Sequence, residues 1–105
     1  MSAKLQIEVP IERIAEFCRE WEIVEFSLFG SVLRPDFRPD SDVDVLVNFA
    51  PGAKPTLSDL MRMRTELAEL FGRPVDLVDR TIVEKSPNYI RRRQILDSAE
   101  VLYGA

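Results

Sequence analysis

The chain has 105 residues, of which 46% are hydrophobic, and it carries a formal net charge of −4 at pH 7. A chain of this length has the usual size of one domain, so we expect a single domain over residues 1–105. It contains no histidine and one cysteine, Cys18. This composition excludes Ser-His-Asp hydrolysis, histidine-ligated metals and an internal disulfide.

The charge and the distribution of apolar residues also limit the partners. No apolar run approaches the roughly 18 residues of a membrane-spanning helix. The acidic balance gives no general attraction to nucleic acid or to anionic lipid, so any phosphate would have to be bound locally. We therefore expect a protein that does not contact membranes and does not bind nucleic acid directly. The single cysteine, which can form no internal disulfide, favours the reducing cytoplasm.

The first half of the chain predicts one helix and two strands. After Pro10, apolar residues recur at spacings of three and four as far as Cys18, which predicts a short helix. Residues 23–29 alternate as a half-buried strand does, and the alternation stops at Gly30. Residues 41–49 alternate again, which places three valines on one face of a second strand and the acidic residues on the other.

The second half predicts two helices and one strand. A helical stripe over residues 56–71 begins with a Thr-x-x-Asp cap and ends at Gly72, and residues 75–78 predict a third strand. Ser86-Pro87 is expected to open a final amphipathic helix that continues through Leu102 to about Gly104. Alternating helices and strands predict an α/β (α+β) fold, in which helices pack on a small mixed sheet.

The segment that points most clearly to a function is Gly30-Ser31 followed, after ten residues, by Asp42-Val43-Asp44. Carboxylates two apart on a strand point to the same side, roughly 6–7 Å apart, and can share a divalent cation. Oxygen ligands without His or Cys favour a hard ion, and Mg²⁺ commonly completes its shell with substrate phosphate. The pattern therefore predicts an Mg²⁺ site that takes a nucleoside triphosphate.

Two further groups complete the predicted site. Gly30 and Ser31 would bind phosphate through backbone N–H groups and the serine hydroxyl, and Arg34 is available to the phosphates. Asp76, flanked by apolar residues, would be the third metal-binding carboxylate and would help to lower the pKa of the acceptor hydroxyl.

Each of these residues also has a simpler structural interpretation that involves no catalytic or binding role. The paired aspartates could lie on a solvated strand face, and Gly30-Ser31 could be an ordinary turn. Asp76 could instead pair with Arg73 or Arg80, in which case Asp79 would be the third carboxylate. The triplet of arginines at positions 91–93 points around a helix and predicts a solvated or partner-facing surface rather than a nucleic-acid site.

Gly30-Ser31, the ten-residue interval, Asp42-x-Asp44 and the later Val-Asp-Leu-Val at 75–78 resemble the minimal nucleotidyltransferases of the DNA polymerase β superfamily. The similarity extends from about residue 26 to residue 78, and residues 91–103 are similar to the C-terminal segment of that family. One departure is Pro35, which follows Arg34 where many relatives carry glycine.

The resemblance implies a polymerase-β-like fold in which Gly30 and Ser31 bind the triphosphate of ATP. It also implies that Asp42 and Asp44 coordinate Mg²⁺ and that Asp76 completes the triad. The most similar members are MntA-like antitoxins that transfer AMP to a tyrosine of a HEPN-domain ribonuclease toxin. The same activity and the same heteromeric pairing are therefore expected here.

Two other functions remain open from the sequence. The chain could be a binding module that neutralises its partner by occlusion, without catalysis. Transfer to a small molecule such as an aminoglycoside is less favoured, since we expect no additional domain to enclose such an acceptor.

Overall fold

The computed structural model describes residues 10–30 and 42–104. Ser31 and Arg34, both predicted to bind phosphate, lie outside the described residues. The helices are α1 (Ile11–Glu20), α2 (Leu57–Phe71), α3 (Arg80–Glu84) and α4 (Tyr89–Ser98). The strands are β1 (Ile23–Phe29), β2 (Val43–Phe49), β3 (Val75–Asp79) and β4 (Glu100–Gly104).

The strands form one mixed sheet in the order β3-β2-β1-β4. β1 pairs antiparallel with β2 and with β4, whereas β2 and β3 run parallel and are connected through α2. The predicted fold class, helices packed on a small mixed sheet, is confirmed. The parallel pair brings the first residues of β2 and β3 to the same end of the sheet, where β1 ends.

Helices cover both faces of the sheet. On one face the valines of β2 pack with Phe26 and Leu28 of β1 against α1 and α2, which contribute Ile14 and Met63 among others. The opposite face is smaller, and there the strands pack against α3 and α4 through Phe29, Leu46, Val83 and Ile95. Alternation along β2 therefore separates a large core from the face that carries Asp44.

The boundaries of α2 follow the predicted signals. The Thr56 side chain accepts a hydrogen bond from the backbone N–H of Asp59 (3.1 Å), and the Asp59 carboxylate accepts one from the N–H of Thr56 (2.9 Å). At the other end Gly72 adopts a left-handed conformation with φ of 70°. This reciprocal cap and the glycine end are the features that the sequence indicated.

The predicted C-terminal helix is wrong beyond Ser98. Ala99 is extended, and residues 100–104 form β4 on the edge of β1. The apolar spacing of Leu96, Ala99 and Leu102 imitates a helix, but β1 would otherwise leave backbone donors and acceptors unpaired along that edge. α4 is also not amphipathic as expected, because its apolar residues are not gathered on one buried face: Ile95 is buried, whereas Ile90 is exposed.

α3 was not predicted from the sequence. It is one short turn that begins directly after β3, where the Asp79 carboxylate accepts a hydrogen bond from the N–H of Thr81 (2.8 Å). Among the described residues, no helix is long and apolar enough to cross a membrane.

We expect the Cys18 thiol to be unreactive towards alkylating agents in the folded protein. Cys18 is fully buried in the large core, and this burial raises the pKa of its thiol from 9.0 to about 12, although Arg19 acts in the opposite direction. At pH 8, iodoacetamide should modify Cys18 in urea-unfolded protein and not in native protein.

The same shift predicts a loss of stability at alkaline pH. The neutral thiol is favoured in the folded state, so its contribution is complete below pH 9 and falls as pH rises from about 9 to about 12. Urea unfolding of wild type and Cys18→Ala should show a wild-type advantage that shrinks across this window. A difference that is constant with pH would contradict the assignment.

Candidate active site

Two carboxylates face each other across the parallel strands. Asp44 of β2 pairs in register with Asp76 of β3, and both lie on the face opposite the large core. Neighbouring strands are about 4.8 Å apart, so the two negative charges are held close together. Asp44 is partly exposed and Asp76 is exposed. The pair is therefore open to a ligand and favours a cation between or beside its oxygens.

Asp42 lies just outside this pair. It directly precedes β2 and is exposed, two residues before Asp44. The next residue, Val43, donates its backbone N–H to the carbonyl of Pro74 (2.9 Å), which fixes the start of β2 beside the start of β3. Within residues 10–30 and 42–104, no group of three or more Asp, Glu, Cys or His side chains converges tightly enough to hold a metal ion.

The register distinguishes Asp76 from Asp79, the two residues considered for the third carboxylate. Asp79 pairs with Val47 and therefore belongs to the other face of the sheet, and its carboxylate caps α3. Arg80, one suggested partner of Asp76, pairs instead with Glu25 and with Glu84 (3.6 Å). Asp76 is thus the residue that stands opposite Asp44.

Gly30 ends β1 against the carboxylate of Asp44. Its φ is 76°, and a Cβ placed on it would overlap Oδ2 of Asp44 and lie 3.2 Å from the carboxyl carbon. Glycine was expected here because it lets phosphate approach the backbone. In this structure the group that approaches the backbone of Gly30 is the Asp44 carboxylate. It fills the space that any side chain at position 30 would need.

These residues line a cavity of about 890 Å³ that is closed on its other side by α4. Gly30, Asp44 and Asp76 lie at the sheet end, while Tyr89, Arg91 and Arg93 are among the lining residues of α4. The volume is within the range of about 300–1,000 Å³ that is typical of small-molecule sites. A cavity with carboxylates on one wall and guanidinium groups on the other suits a ligand that carries phosphates and a metal ion.

The arginines of α4 divide between the cavity and the rest of the helix. The guanidinium of Arg93 donates hydrogen bonds to the Tyr89 hydroxyl (3.0 Å) and to the Asp97 carboxylate (3.2 Å), and these contacts raise the pKa of Arg93 above its usual value. Arg92 stacks on the ring of Tyr89, 5.4 Å from its centroid, and donates to the carbonyl of Ser86 (3.2 Å). Arg91 makes no ion pair with any residue that the structure describes.

Sequence reasoning noticed the arginine triplet but did not place any of it at the site. Which arginine faces the cavity depends on where α4 begins and how it crosses the sheet, and neither is determined by the local pattern. Tyr89 was missed entirely, and its only signal was its position beside the triplet.

The fold and this carboxylate-lined cavity define a protein of the nucleotidyltransferase class. Residues 11–102 match the model of the nucleotidyltransferase domain family, and the chain belongs to that family.

Two related proteins of Methanocaldococcus jannaschii bear the name "Putative protein adenylyltransferase". One is 42% identical over 52 residues, which cover 50% of this chain and 54% of the relative. The other is 29% identical over 59 residues, which cover 56% of this chain and 59% of the relative. The similarity thus spans little more than half the length of these curated relatives.

Solved structures share the fold. A structure described as "putative minimal nucleotidyltransferase" is 36% identical, with a TM-score of 0.66 and coverage of 86% of both chains. A crystal structure of a toxin-antitoxin with AMP-PNP gives a TM-score of 0.69 at 20% identity, over 92% of this chain and 75% of that chain. A complex of tri-AMPylated Shewanella oneidensis HEPN toxin with MNT antitoxin gives 0.60 at 20% identity, over 90% and 70%.

We expect Gly30→Ala to damage the site more than the fold. The methyl group would force the flexible Asp44 carboxylate to rotate away, and the positive φ would cost about 1–2 kcal/mol in unfolding free energy. Affinity for ATP with Mg²⁺, measured by calorimetry, should fall at least about tenfold, or 1.4 kcal/mol.

Gly72→Ala is the matched control for this variant. Gly72 has a similar φ of 70°, and a Cβ there would meet nothing within 4 Å. It should show the same backbone cost in urea unfolding with unchanged ATP affinity. Equal ATP affinities of the two variants would show that the Gly30–Asp44 contact does not shape the site.

Proposed function

We propose that this chain is an Mg²⁺-dependent protein adenylyltransferase that transfers AMP from ATP to a tyrosine hydroxyl of a HEPN-domain ribonuclease toxin. In this role it is the antitoxin of a cytoplasmic toxin-antitoxin pair and forms a heteromeric complex with the toxin. The observation that carries the proposal is the register of Asp44 with Asp76 beside Gly30, in a cavity of nucleotide size.

The chemistry of the residues present suits a magnesium ion, although their three carboxylates would have to move closer together to bind it. The donors are carboxylate oxygens only, and the Asp44 carboxylate lies in the space that a Cβ on residue 30 would need. Asp42, Asp44 and Asp76 would hold the ion, and a bound Mg²⁺ would supply charge neutralisation at the phosphates and a lower pKa of the acceptor hydroxyl. This choice of ligands is supported by the register that pairs Asp44 with Asp76 on neighbouring strands. Asp42 is exposed and lies two residues before Asp44.

The side chains of the protein have separate roles in the transfer. Asp76, exposed at the cavity, accepts the proton of the acceptor hydroxyl as the oxygen attacks the α-phosphorus. Arg91 and Arg93 provide positive charge on the α4 wall, where the phosphates need it. Ser31 and Arg34 would add contacts to the triphosphate, as the family resemblance implies.

The acceptor is inferred from the relatives. Two related proteins carry the name of a protein adenylyltransferase, and one structural neighbour is an MNT antitoxin bound to a tri-AMPylated HEPN toxin. A tyrosine acceptor needs no deep acceptor pocket on the enzyme, because the partner protein presents its own side chain. This agrees with the open, exposed position of Asp76.

We expect Asp76→Asn to lower the rate of transfer from α-labelled ATP to the toxin by at least about 10²-fold, because the amide cannot accept the proton. Asp79→Asn is the control, since asparagine caps a helix as well as aspartate does and Asp79 belongs to the other face. The measurement is label incorporated into the toxin per unit time. If Asp79→Asn were the more damaging change, the third carboxylate would be misassigned.

Non-catalytic occlusion is the alternative function. It is favoured by exposed apolar side chains on α3 and α4, since Ile82 is 67% exposed and Ile90, which lines the cavity, is 69% exposed. Such side chains suit a protein–protein contact.

The double variant Asp42→Asn with Asp44→Asn separates the two functions. Under the catalytic proposal, this variant should bind the toxin and fail to silence its ribonuclease activity, and wild type without ATP should fail in the same way. If the toxin were silenced equally well without ATP and by the double variant, occlusion would be the function and the transfer proposal would fall.

A further inference from the structure

The cavity contains a phenol that transfer to a partner does not use. Tyr89 is the first residue of α4, is 57% exposed and lines the cavity together with Asp44 and Asp76. We propose that Tyr89 is an AMP acceptor within its own chain, so that the protein adenylylates itself at this residue. This inference rests on the proposed function, because it requires the same transfer chemistry.

Tyr89 is distinguished from the other hydroxyl groups by its position. The chain has two tyrosines, and the second, Tyr103, lies on β4 and packs against the large core, away from α4. Ser98 also lines the cavity, but its hydroxyl donates to the backbone carbonyl of Gln94 within α4 (2.5 Å). Among the described residues, Tyr89 is therefore the cavity hydroxyl best placed to act as a nucleophile.

The hydrogen bonds of Tyr89 leave its proton available. Its oxygen accepts a hydrogen bond from the guanidinium of Arg93 (3.0 Å), and Arg92 lies over its ring. A phenol that accepts at its oxygen still has its own hydrogen to donate. The adjacent guanidinium group also stabilises negative charge that develops on the attacking oxygen.

The position of the donor nucleotide follows from the charges of the cavity walls. The carboxylates at the sheet end and the arginines of α4 make opposite walls, and a metal-bound triphosphate fits between them. Tyr89 belongs to the wall that the phosphates would face. A nucleotide in this cavity would therefore lie between Asp76 and the Tyr89 hydroxyl.

The reaction balances with ATP as the only co-substrate. The Tyr89 oxygen forms a bond to the α-phosphorus, and the bond from that phosphorus to the oxygen bridging the β-phosphorus breaks. Pyrophosphate leaves, and the phenol proton passes to solvent water, which reaches the exposed Tyr89 hydroxyl. The product is a phosphodiester that links tyrosine to AMP, and no oxidant or reductant is required.

Self-adenylylation is tested by incubating the purified full chain with Mg²⁺ and ATP labelled at the α-phosphate, followed by intact mass measurement and peptide sequencing. Wild type should gain one adenylyl group, located on Tyr89. Tyr103→Phe should gain the same group, whereas Tyr89→Phe should gain none. Protein purified from the expressing cells should already carry the group in part, before any nucleotide is added.

An inactive chain labelled with ¹⁵N, and therefore distinguishable from wild type by mass, tests whether the step is intramolecular. Asp44→Asn retains Tyr89 and should stay unmodified, both alone and when mixed with wild type. The modified fraction of wild type should not depend on protein concentration. Modification of the Asp44→Asn chain by wild type would overturn the intramolecular assignment.

The failure of this inference differs from the failure of the proposed function. If wild type adenylylates the toxin but gains no mass itself, or carries the group at Ser98 or Tyr103, the Tyr89 assignment is wrong and the proposed function stands. If wild type modifies neither the toxin nor itself, the transfer activity is absent and both proposals fall.

Discussion

The parallel pairing of β2 with β3 is the constraint on which the site depends. Five register pairs run from Val43 with Val75 to Val47 with Asp79, and the alternate pairs bury valines in the large core. Burial of each such side chain contributes about 1.5–3 kcal/mol, whereas like charges facing each other across strands cost about 0.2–1 kcal/mol. Core packing on one face therefore holds Asp44 against Asp76 on the other. A slip of one residue would move the aspartates into the core, so the register is strongly specified.

The two layers of helices serve different purposes. α1 and α2 complete the large core and contain the clearest helix signals in the sequence, with a reciprocal cap at Thr56 and Asp59. α3 and α4 cover the smaller opposite face, anchored by Val83 and Ile95, and leave room for a cavity beside the sheet end. The same face thus combines limited packing with a cavity lined by polar groups.

Local chemistry in the sequence predicted most of the framework. The pattern of apolar residues predicted the strands at 23–29 and 75–78, and helix caps predicted the helix that ends at Gly72. The positions of these elements are confirmed to within about one residue. The C-terminal segment was wrong because β4 forms only through pairing with the distant β1, a contact that residue spacing does not reveal. Asp44 was predicted from its spacing to Asp42 and Gly30-Ser31, and Asp76 from its apolar flanking residues, and the register places the two aspartates side by side. Tyr89 and the arginines could not be placed, since the crossing of α4 over the sheet is a tertiary property.

Ala99 alone separates the last residue of α4 from the first residue of β4. The helix that forms one wall of the cavity is therefore tethered directly to an edge strand, and edge strands are held by a partner on one side only. Loss of β4 from β1 would remove an anchor of that wall, so the stability of this peripheral strand contributes to the shape of the cavity.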